Sequence, residues 1–507
     1  MARPNVVFII DDQHRWDFMG YEGNGVTHAP NLDRLAKRGA ILHSAYYTSP
    51  LCSPSRAAIA SGRYGMNTGC FTNLHELPPG TPSFVNQLRE DGYHTCAVGK
   101  THMEIHAYDA DYTSAKHRSY MESLGWCEVH EISGQGMLRT GIKCEHSEFL
   151  RQRGALEEAV EFYQQWHYFM DKESQAPNPP YAEWSLPEEF QETAWVGGRA
   201  VEWLRHRDKS RPFFLHVGFG APHPPLEPLA RFMDLYRSAP ESELWGTPQP
   251  TDHMIEMRRA YRAMIGEIDH CVGEIERCLA EQGALDNTVI VFTSDHGLAV
   301  GCHGLMGKEN LYEHSARVPL ILQGPGIPVG KRLDDCLCGH YDLMPTLMEY
   351  LGVEAPTSSQ GLSYMPVLRG EIPTVRQTLC AAYRDCMRMA RDGRFKMIYY
   401  PHIGRTQLFD TLSDPDETND RMTSWRSHPE SRCVPPSLSP TQQSCPPDPD
   451  PGRSAPPNNS FAGAHPVFNP AYEPAVRPAE VEAIIQRLRS TLAAWQEENN
   501  DPVRASQ

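Results

Sequence analysis

Polar side chains of the kind that bind metals or move protons follow four short apolar runs of the sequence. In chain order they are Asp11 and Asp12, Lys100 and His102, His223, and Asp295 and His296. The carboxyl ends of parallel strands meet at one edge of an open α/β sheet, and ligands bind there. If the four runs are such strands, we expect these side chains to line one crevice.

Three of these side chains, Asp11, Asp12 and Asp295, are carboxylates. Carboxylates held close together repel each other unless a cation is present or protons are taken up. Oxygen ligands suit Ca²⁺ or Mg²⁺, and His296 would add a nitrogen ligand that also admits Mn²⁺. A single aspartate after a strand more often forms a turn. The whole set favours a divalent metal site.

Residues 52–56 read Cys-Ser-Pro-Ser-Arg and form the most specific pattern in the chain. A proline near the start and a glycine past the end predict a short helix with Cys52 at its N-terminus. The free N–H groups there, together with Arg56 and Arg63, favour a bound anion and predict a lowered pKa for Cys52. The alternative is a buried structural cysteine.

The apolar runs are nearly continuous and rich in β-branched or aromatic residues, which is typical of strands covered on both faces. They span residues 6–10, 95–98, 213–219 and 288–293. Helical patterns lie between them, including residues 31–38 and 260–282. This alternation predicts an α/β fold with a mainly parallel sheet and helices on both faces.

From about residue 362, the alternation of apolar runs and helical patterns gives way to short strand-like runs separated by turns. Short strands at 378–383, 388–391 and 395–400 predict a small antiparallel sheet. A segment rich in proline precedes a final helix with an apolar stripe, which favours docking on the core. The predicted divisions are a catalytic α/β domain at 1–361, a β subdomain at 362–432, a Pro-rich loop at 433–477 and a packed helix at 478–498.

The composition argues against several classes of partner. The 507-residue chain has 47 lysines and arginines against 64 aspartates and glutamates, a formal net charge of −17, which disfavours a nucleic-acid-binding surface. No apolar run approaches the roughly 20 residues of a membrane helix. The N-terminus lacks the features of a signal peptide, so we expect a cytoplasmic protein whose 14 cysteines are reduced.

Residues 52–56 resemble the C-x-P-x-R signature of the sulfatase family, within the alkaline phosphatase superfamily. Gly99-Lys100-Thr101-His102 resembles the family's G-K-x-H motif, and Ser294-Asp295-His296-Gly297 with Lys308 resembles a third cluster. These motifs occur in the family's order over most of the chain. The resemblance implies an alkaline phosphatase-like fold with a large mixed sheet.

The resemblance also implies that Cys52 is converted to formylglycine by a formylglycine-generating enzyme. A hydroxyl of the hydrated aldehyde would attack the sulfur of a sulfate ester, and the second hydroxyl would then expel sulfate. The metal ligands would be Asp11, Asp12, Asp295 and His296 with the residue-52 side chain. Many sulfatases carry asparagine where His296 stands and others carry histidine, so this position leaves the identity of the metal open. Ca²⁺ is the expected ion, with Mg²⁺ and Mn²⁺ as alternatives.

Family analogy assigns roles to the remaining polar residues. His102 is the expected base for sulfate expulsion, and His223 and Lys308 would protonate or stabilise the leaving oxygen. Lys100 and Arg56 would stabilise charge and orient the nucleophile. We further expect Gln13 and Asn73 to line the pocket and His303 to support the site from outside it.

Alternatives stay open at this point. A phosphonate monoester or phosphodiester hydrolase could use the same scaffold, a binding protein could retain the fold without activity, and Cys52 could act as a plain thiolate. The expected substrate is a sulfate ester of a small molecule or a saccharide. Aromatic residues of the middle segment could stack on it but more often pack; they are Trp126, Trp166, Tyr168, Trp184 and Trp195.

Overall fold

The computed structural model of the chain describes most of the two predicted sheets and the final helix. The described residues are 3–23, 25–104, 110–134, 136–166, 178–241, 246–247, 249–422, 479–501 and 503. The predicted Pro-rich loop 433–477 and Tyr168 lie outside these residues.

A mixed, mainly parallel sheet carries the candidate site. The strands before residue 340 are β1 (Asn5–Asp11), β2 (Ala40–Leu42), β3 (Ala45–Tyr46), β4 (His94–Gly99), β5 (Glu128–Glu131), β6 (Phe213–Gly218), β7 (Thr288–Ser294), β8 (Leu320–Gln323), β9 (Lys331–Leu333) and β10 (Cys338–Gly339). Eight of them form one sheet in the order β5-β4-β6-β1-β7-β8-β2-β9, and β3 pairs with β10. Strand β8 runs antiparallel to β7 and β2. The predicted sheet type is therefore confirmed.

Helices cover both faces of this sheet. They are α1 (Pro30–Arg38), α2 (Cys52–Ser61), α3 (Phe84–Glu90), α4 (Ala115–Ser123), α5 (Glu145–Gln152), α6 (Leu156–Gln164), α7 (Glu192–His206), α8 (Ala230–Met233), α9 (Asp252–Glu281), α10 (Glu313–Ala316), α11 (Leu343–Leu351), α12 (Met365–Leu368) and α13 (Ala479–Glu498). In β1, Val7 and Ile9 pack with α7 and α9, whereas Phe8 and Ile10 pack with α2, α3 and α11. A strand buried on both faces needs a continuous apolar run.

A second sheet is antiparallel, as predicted. Its strands, in spatial order, are β11 (Leu379–Tyr383), β12 (Met387–Arg391), β13 (Phe395–Tyr400) and β14 (Arg405–Asp410). Met389 and Ile398 face Leu51 and its neighbours in the larger domain. The opposite face carries Met397 and Leu408 against α13. The helix therefore docks on the core, and the exact domain boundaries stay predictions.

The large aromatic side chains of the middle segment mostly pack. Trp126 is buried beside Phe214, with ring centroids 5.8 Å apart. Trp166 and Trp184 lie in one apolar cluster with Tyr163. Among the described residues, no helix combines the length and apolar character that crossing a membrane requires.

Candidate active site

Four adjacent strands deliver the predicted side chains to one edge of the large sheet. Strands β4, β6, β1 and β7 are neighbours and run parallel. Asp12, Asp295 and His296 follow β1 and β7, and α2 presents Cys52 to them. These four residues each bring one potential ligand atom within 4.8 Å of the others. The convergence expected from strand order is therefore present in the structure.

Helix α2 begins at Cys52 and ends at Gly62, whose φ of 64° lies in the left-handed region that favours glycine. Every residue of the helix is buried. The backbone N–H of Ser53 donates to Asn73 Oδ1 at 3.1 Å, which satisfies one of the free donors of the first turn. Asn73 thus contacts the residue next to Cys52, and its predicted place in the pocket lining stays a prediction.

The donor set around Cys52 suits a divalent cation. His296 Nδ1 lies 3.0 Å from the Gly297 carbonyl, so it carries the proton, and the lone pair is on Nε2, 3.5 Å from Cys52 Sγ. Burial and the charge of Lys308 lower the pKa of His296 to about 4, which keeps the ring neutral. Asp12 Oδ1 lies 3.6 Å from the same sulfur. Carboxylates and a neutral imidazole are metal ligands.

Asp11 differs from the other predicted ligands. Its Oδ2 lies 2.6 Å from His14 Nδ1. Its Oδ1 is buried and has no hydrogen bond among the described residues, and Asp11 is outside the 4.8 Å set. Burial raises the pKa of Asp11. A cation near Oδ1 would offset that cost, so the orphaned oxygen fits a metal site.

Fixed cations surround the carboxylates. Arg56 donates from Nε to Asp295 Oδ2 at 2.9 Å and from a terminal nitrogen to the Lys100 carbonyl at 3.0 Å. The Lys100 ammonium pairs with Asp12 Oδ2. Burial opposes ionisation of Asp12, but the nearby cations, Lys100 first among them, outweigh it and hold its pKa well below the ordinary value.

Two further side chains near Cys52 are partly exposed to solvent, unlike the buried ligand set. Lys308 Nζ lies 2.9 Å from Cys52 Sγ. His223 is half-buried, and its Nδ1 donates to the Pro224 carbonyl, which leaves the lone pair on Nε2. Burial and the charge of Lys308 lower the pKa of His223 to about 3. In this state Lys308 can donate a proton toward residue 52, whereas His223 can accept one.

His102 lies in a tight turn after β4, with a φ of 53°. Glu131, the last residue of β5, holds this turn: its Oε1 accepts from the Thr101 N–H at 2.7 Å and its Oε2 from the Thr101 hydroxyl at 2.6 Å. Sequence reasoning missed Glu131, because β5 is short and polar and has no apolar run to mark it. Its only signal is a carboxylate on the strand beside Lys100 and His102.

The pKa predicted for Cys52 is wrong. Burial raises the pKa of this thiol to about 11, and the Asp12 carboxylate adds to the effect, so that Lys308 and Lys100 do not compensate. The first turn of α2 is buried and faces carboxylates, and these two effects outweigh the field of the helix N-terminus. Burial therefore disfavours ionisation of the Cys52 thiol unless a cation binds beside it.

Other residues support the site from behind. The Ser55 hydroxyl donates to the Asp295 carbonyl at 2.6 Å and lies 2.9 Å from His340 Nδ1. The Gln13 backbone N–H donates to Asp295 Oδ1 at 3.0 Å. Sequence reasoning missed Ser55 and His340, although Ser55 lies one turn from Cys52 on the same helix. His303 bonds the Asp416 carbonyl and stacks on Tyr312, neither of which belongs to the group around Cys52, so its predicted supporting role stays a prediction.

Comparison with known proteins gives the chain a family. The sulfatase family model matches residues 4–353. A second model, described as the C-terminal region of N-sulphoglucosamine sulphohydrolase, matches residues 301–430. An arylsulfatase of Clostridium perfringens is 28% identical over 459 residues, which cover 83% of this chain and 91% of that relative.

Solved structures agree with this fold. A protein in complex with its substrate D-glucosamine-2-N,6-O-disulfate aligns with a TM-score of 0.68 at 20% identity, covering 100% of both chains. The phosphonate monoester hydrolase of Silicibacter pomeroyi aligns with a TM-score of 0.66 at 25% identity, covering 81% of this chain and 90% of that one. Because the sulfatase family model spans more than half of its length, this chain belongs to the sulfatase family.

Proposed function

We propose that this chain hydrolyses sulfate esters, with residue 52 as a formylglycine nucleophile beside one divalent metal. The observation that carries the proposal is the position of Cys52 Sγ, 3.5 Å from His296 Nε2 and 2.9 Å from Lys308 Nζ. Residue 52 thus contacts both potential metal ligands and a proton donor. The arylsulfatase relative supports a sulfate ester as substrate.

Asp12, Asp295, His296 and residue 52 would hold the metal, and the orphaned Oδ1 of Asp11 would complete the set. Carboxylate oxygens dominate these ligands, so Ca²⁺ is the metal we propose. The metal would supply positive charge that binds sulfate oxygens, and the hydrated formylglycine would supply the hydroxyl that attacks sulfur.

The remaining residues have roles that follow from their contacts. Arg56 fixes the Asp295 carboxylate and the Lys100 carbonyl, which keeps the site preorganised. Lys100 compensates the charge of Asp12. Lys308 is placed to donate a proton to the leaving oxygen, and the Nε2 lone pair of neutral His223 can accept a hydrogen bond from the alcohol once that oxygen is protonated. His102, held by Glu131, is the base that we propose for release of sulfate.

A second candidate function is hydrolysis of phosphonate monoesters. The phosphonate monoester hydrolase of Silicibacter pomeroyi has the same fold at 25% identity. Transfer of a phosphoryl group needs the same in-line attack and charge stabilisation as transfer of a sulfuryl group.

For the organic part of the substrate, we propose a small molecule or a saccharide. The structure of a similar protein in complex with a glucosamine disulfate supports the saccharide.

The test is to co-express the chain with a formylglycine-generating enzyme and to measure turnover of four substrates. These are an aryl sulfate, a glucosamine 6-sulfate, an aryl phosphonate monoester and a phosphodiester. Mass spectrometry of the peptide that carries residue 52 establishes the extent of conversion. We expect turnover to scale with conversion and kcat/KM to be highest for a sulfate.

Cys52→Ala, prepared in the same way, is the matched blank. Higher kcat/KM for the phosphonate would reassign the reaction to the second candidate. Equal turnover by the Cys52→Ala variant would refute residue 52 as the nucleophile. Loss of activity with a chelator, restored by added Ca²⁺, is the expected result for the metal.

A further inference from the structure

A second group of metal-binding side chains lies at the far edge of the large sheet, away from Cys52. Cys96 of β4 is directly paired with Glu128 of the edge strand β5, and His130 follows two residues later. Residues in register, or two apart on one strand, project from the same face of a sheet. Their sulfur, oxygen and nitrogen atoms lie within 4.8 Å of one another.

Other side chains already orient each polar member of this group. His130 Nδ1 lies 2.9 Å from Glu145 Oε2 and 3.2 Å from a terminal nitrogen of Arg199. The shorter contact with the carboxylate favours the proton on Nδ1 and the lone pair on Nε2. Glu128 Oε2 accepts from Trp203 Nε1 at 2.9 Å, and Glu128 Oε1 lies 2.8 Å from His94 Nε2. A carboxylate behind a histidine and a donor behind a carboxylate are the usual outer partners of metal ligands.

The distances and charges suit one ion. His130 Nε2 and Glu128 Oε2 are 3.8 Å apart, close to the roughly 3.5 Å that separates ligands at metal bonds of about 2.0–2.3 Å in a tetrahedron. Cys96 is fully buried, whereas the Glu128 side chain is 41% exposed, so an ion could enter from solvent. A thiolate and a carboxylate would neutralise a divalent cation.

We propose that Cys96, Glu128 and His130 form a zinc site, with water as the fourth ligand. The mixed set of sulfur, nitrogen and oxygen ligands is typical of Zn²⁺ and unlike the oxygen-rich set around Cys52. Binding displaces the thiol proton of Cys96 to solvent as the Zn–S bond forms. The site uses none of the residues assigned to sulfate ester hydrolysis.

Zinc at this position would tie the edge strand β5 to β4. The residue that follows His130 is Glu131, whose carboxylate holds Thr101 and the His102 N–H in the active site. The ion would therefore stabilise the strand that supports the His102 turn. We therefore expect zinc to raise the Tm of the protein. This rise should disappear in variants that lack the zinc ligands.

The test uses Co²⁺ as a spectroscopic substitute for zinc in the full chain. Cys52→Ala serves as the background, since it removes the thiol of the active site. Co²⁺ bound by Cys96 gives a thiolate-to-cobalt charge-transfer band in the near ultraviolet, and Zn²⁺ should displace it. Adding Cys96→Ser should abolish the band, and adding Glu128→Gln should weaken Co²⁺ binding by about 10-fold or more.

Cys271→Ser is the matched control, because Cys271 is another buried cysteine of the same core face and lies outside the group. It should leave the band and the zinc-dependent rise in Tm unchanged. The proposal is overturned if the Cys52→Ala background shows no thiolate band, or if Cys96→Ser retains it. If Cys96→Ser fails to fold, the half-exposed Glu128→Gln variant decides, and unchanged Co²⁺ affinity there overturns the proposal.

Discussion

Arg56 connects three segments of the active site from inside the protein. It is 1% exposed and hydrogen-bonds Asp295, the Lys100 carbonyl and the Asp11 carbonyl. A lysine at this position keeps the charge but has one donor atom where the guanidinium has a planar fork. The geometry of the site therefore depends on the shape of this side chain as well as on its charge.

We expect Arg56→Lys to lower kcat/KM about 100-fold, because small displacements of catalytic groups have effects of that size. The variant should also unfold at a lower temperature, since buried charged hydrogen bonds contribute about 1.5–3 kcal/mol each. Arg63→Lys, just past the end of the same helix, is the control. Steady-state kinetics and thermal unfolding check both, and unchanged kcat/KM in Arg56→Lys would contradict this role.

Glu267 is a buried carboxyl group away from the catalytic residues. Its Oε1 accepts from the Leu229 N–H at 2.6 Å and its Oε2 from Gln191 Nε2 at 2.9 Å. Burial raises the pKa of Glu267 to about 8 from an ordinary value of 4.5, despite these two donors. The folded protein therefore holds a proton that the unfolded chain has released between those values.

This proton makes stability fall as pH rises from about 4.5 to 8, by up to about 1.4 kcal/mol per pH unit. Glu267→Gln removes the titration, and the Gln191 amide can turn to present its orphaned oxygen to the new donor. We expect the difference in Tm between pH 5.5 and pH 8 to shrink in this variant. Glu274→Gln, on the surface of the same helix, should leave that difference unchanged.

Single residues also mark the limit of sequence reasoning. The sequence placed Cys52 at a helix N-terminus but could not reveal that Asp12 and burial reverse the expected shift of its pKa. Glu131 carries no motif, and only the pairing of β5 with β4 brings it to Thr101. Local patterns identify residues that react, whereas the residues that hold them depend on contacts distant in sequence.

At the scale of elements, β4 and β6 approach closely where they enter the active site. A Cβ on Gly218 would lie 2.0 Å from the Lys100 carbonyl oxygen, and one on Gly99 would lie 2.0 Å from the Gly218 oxygen. The Lys100 N–H donates to the same Gly218 oxygen at 2.7 Å. The two glycines therefore set the position of the segment that carries Lys100 and His102.

We expect Gly218→Ala to push that segment away and to lower kcat at least 10-fold, because contacts below 3.0 Å force the backbone to shift. Gly198→Ala is the matched control. No atom lies within 4 Å of its added Cβ, and alanine favours the helix by about 1 kcal/mol. Full activity of a folded Gly218→Ala enzyme would refute this account of the strand ends.

Helix α13 stabilises the small sheet through an apolar stripe. Leu488 is fully buried with Ile485 and Leu492 against Met397 and Leu408. We expect Leu488→Ala to lower the free energy of unfolding by about 2–5 kcal/mol, as cavities of this kind do. Thermal unfolding measures the effect, with the exposed Gln486→Ala as control. Equal Tm values for the two variants would show that the helix contributes little.

The elements that sequence reasoning found are those with a continuous apolar run or a sustained helical period. Strands β1, β4, β6 and β7 were expected within a few residues of their observed bounds. Strands β9 and β14 were missed because their sequences mix polar and apolar residues. Strands β2 and β8 were missed because runs of three apolar residues are too short to be distinguished by pattern. Helix α9 was predicted from residue 260 but starts at Asp252. Its first turns are only half-buried, so they lie outside the buried stripe that the helical pattern indicated.

At the scale of the whole molecule, the net charge does not describe the charges around residue 52. The chain carries −17 overall, yet Arg56, Lys100 and Lys308 surround residue 52. The net charge disfavours a nucleic-acid partner, but it says nothing about a pocket that binds one small anion. The convergence of the four strand ends, by contrast, follows from the order of the parallel strands in the sheet and does not depend on the net charge of the chain.

The burial of α2 has a consequence for the chronology of biosynthesis. Cys52 is 1% exposed, and every residue through Ser61 is buried with it in a helix, so a modifying enzyme cannot bind this segment as an extended peptide in the folded chain. Under the proposed function, conversion of Cys52 to formylglycine must therefore precede folding. Whether a molecule becomes an active enzyme is then decided before it folds. Purified, folded and unmodified chain should remain a cysteine protein after incubation with a formylglycine-generating enzyme, whereas chain synthesised in that enzyme's presence should be converted.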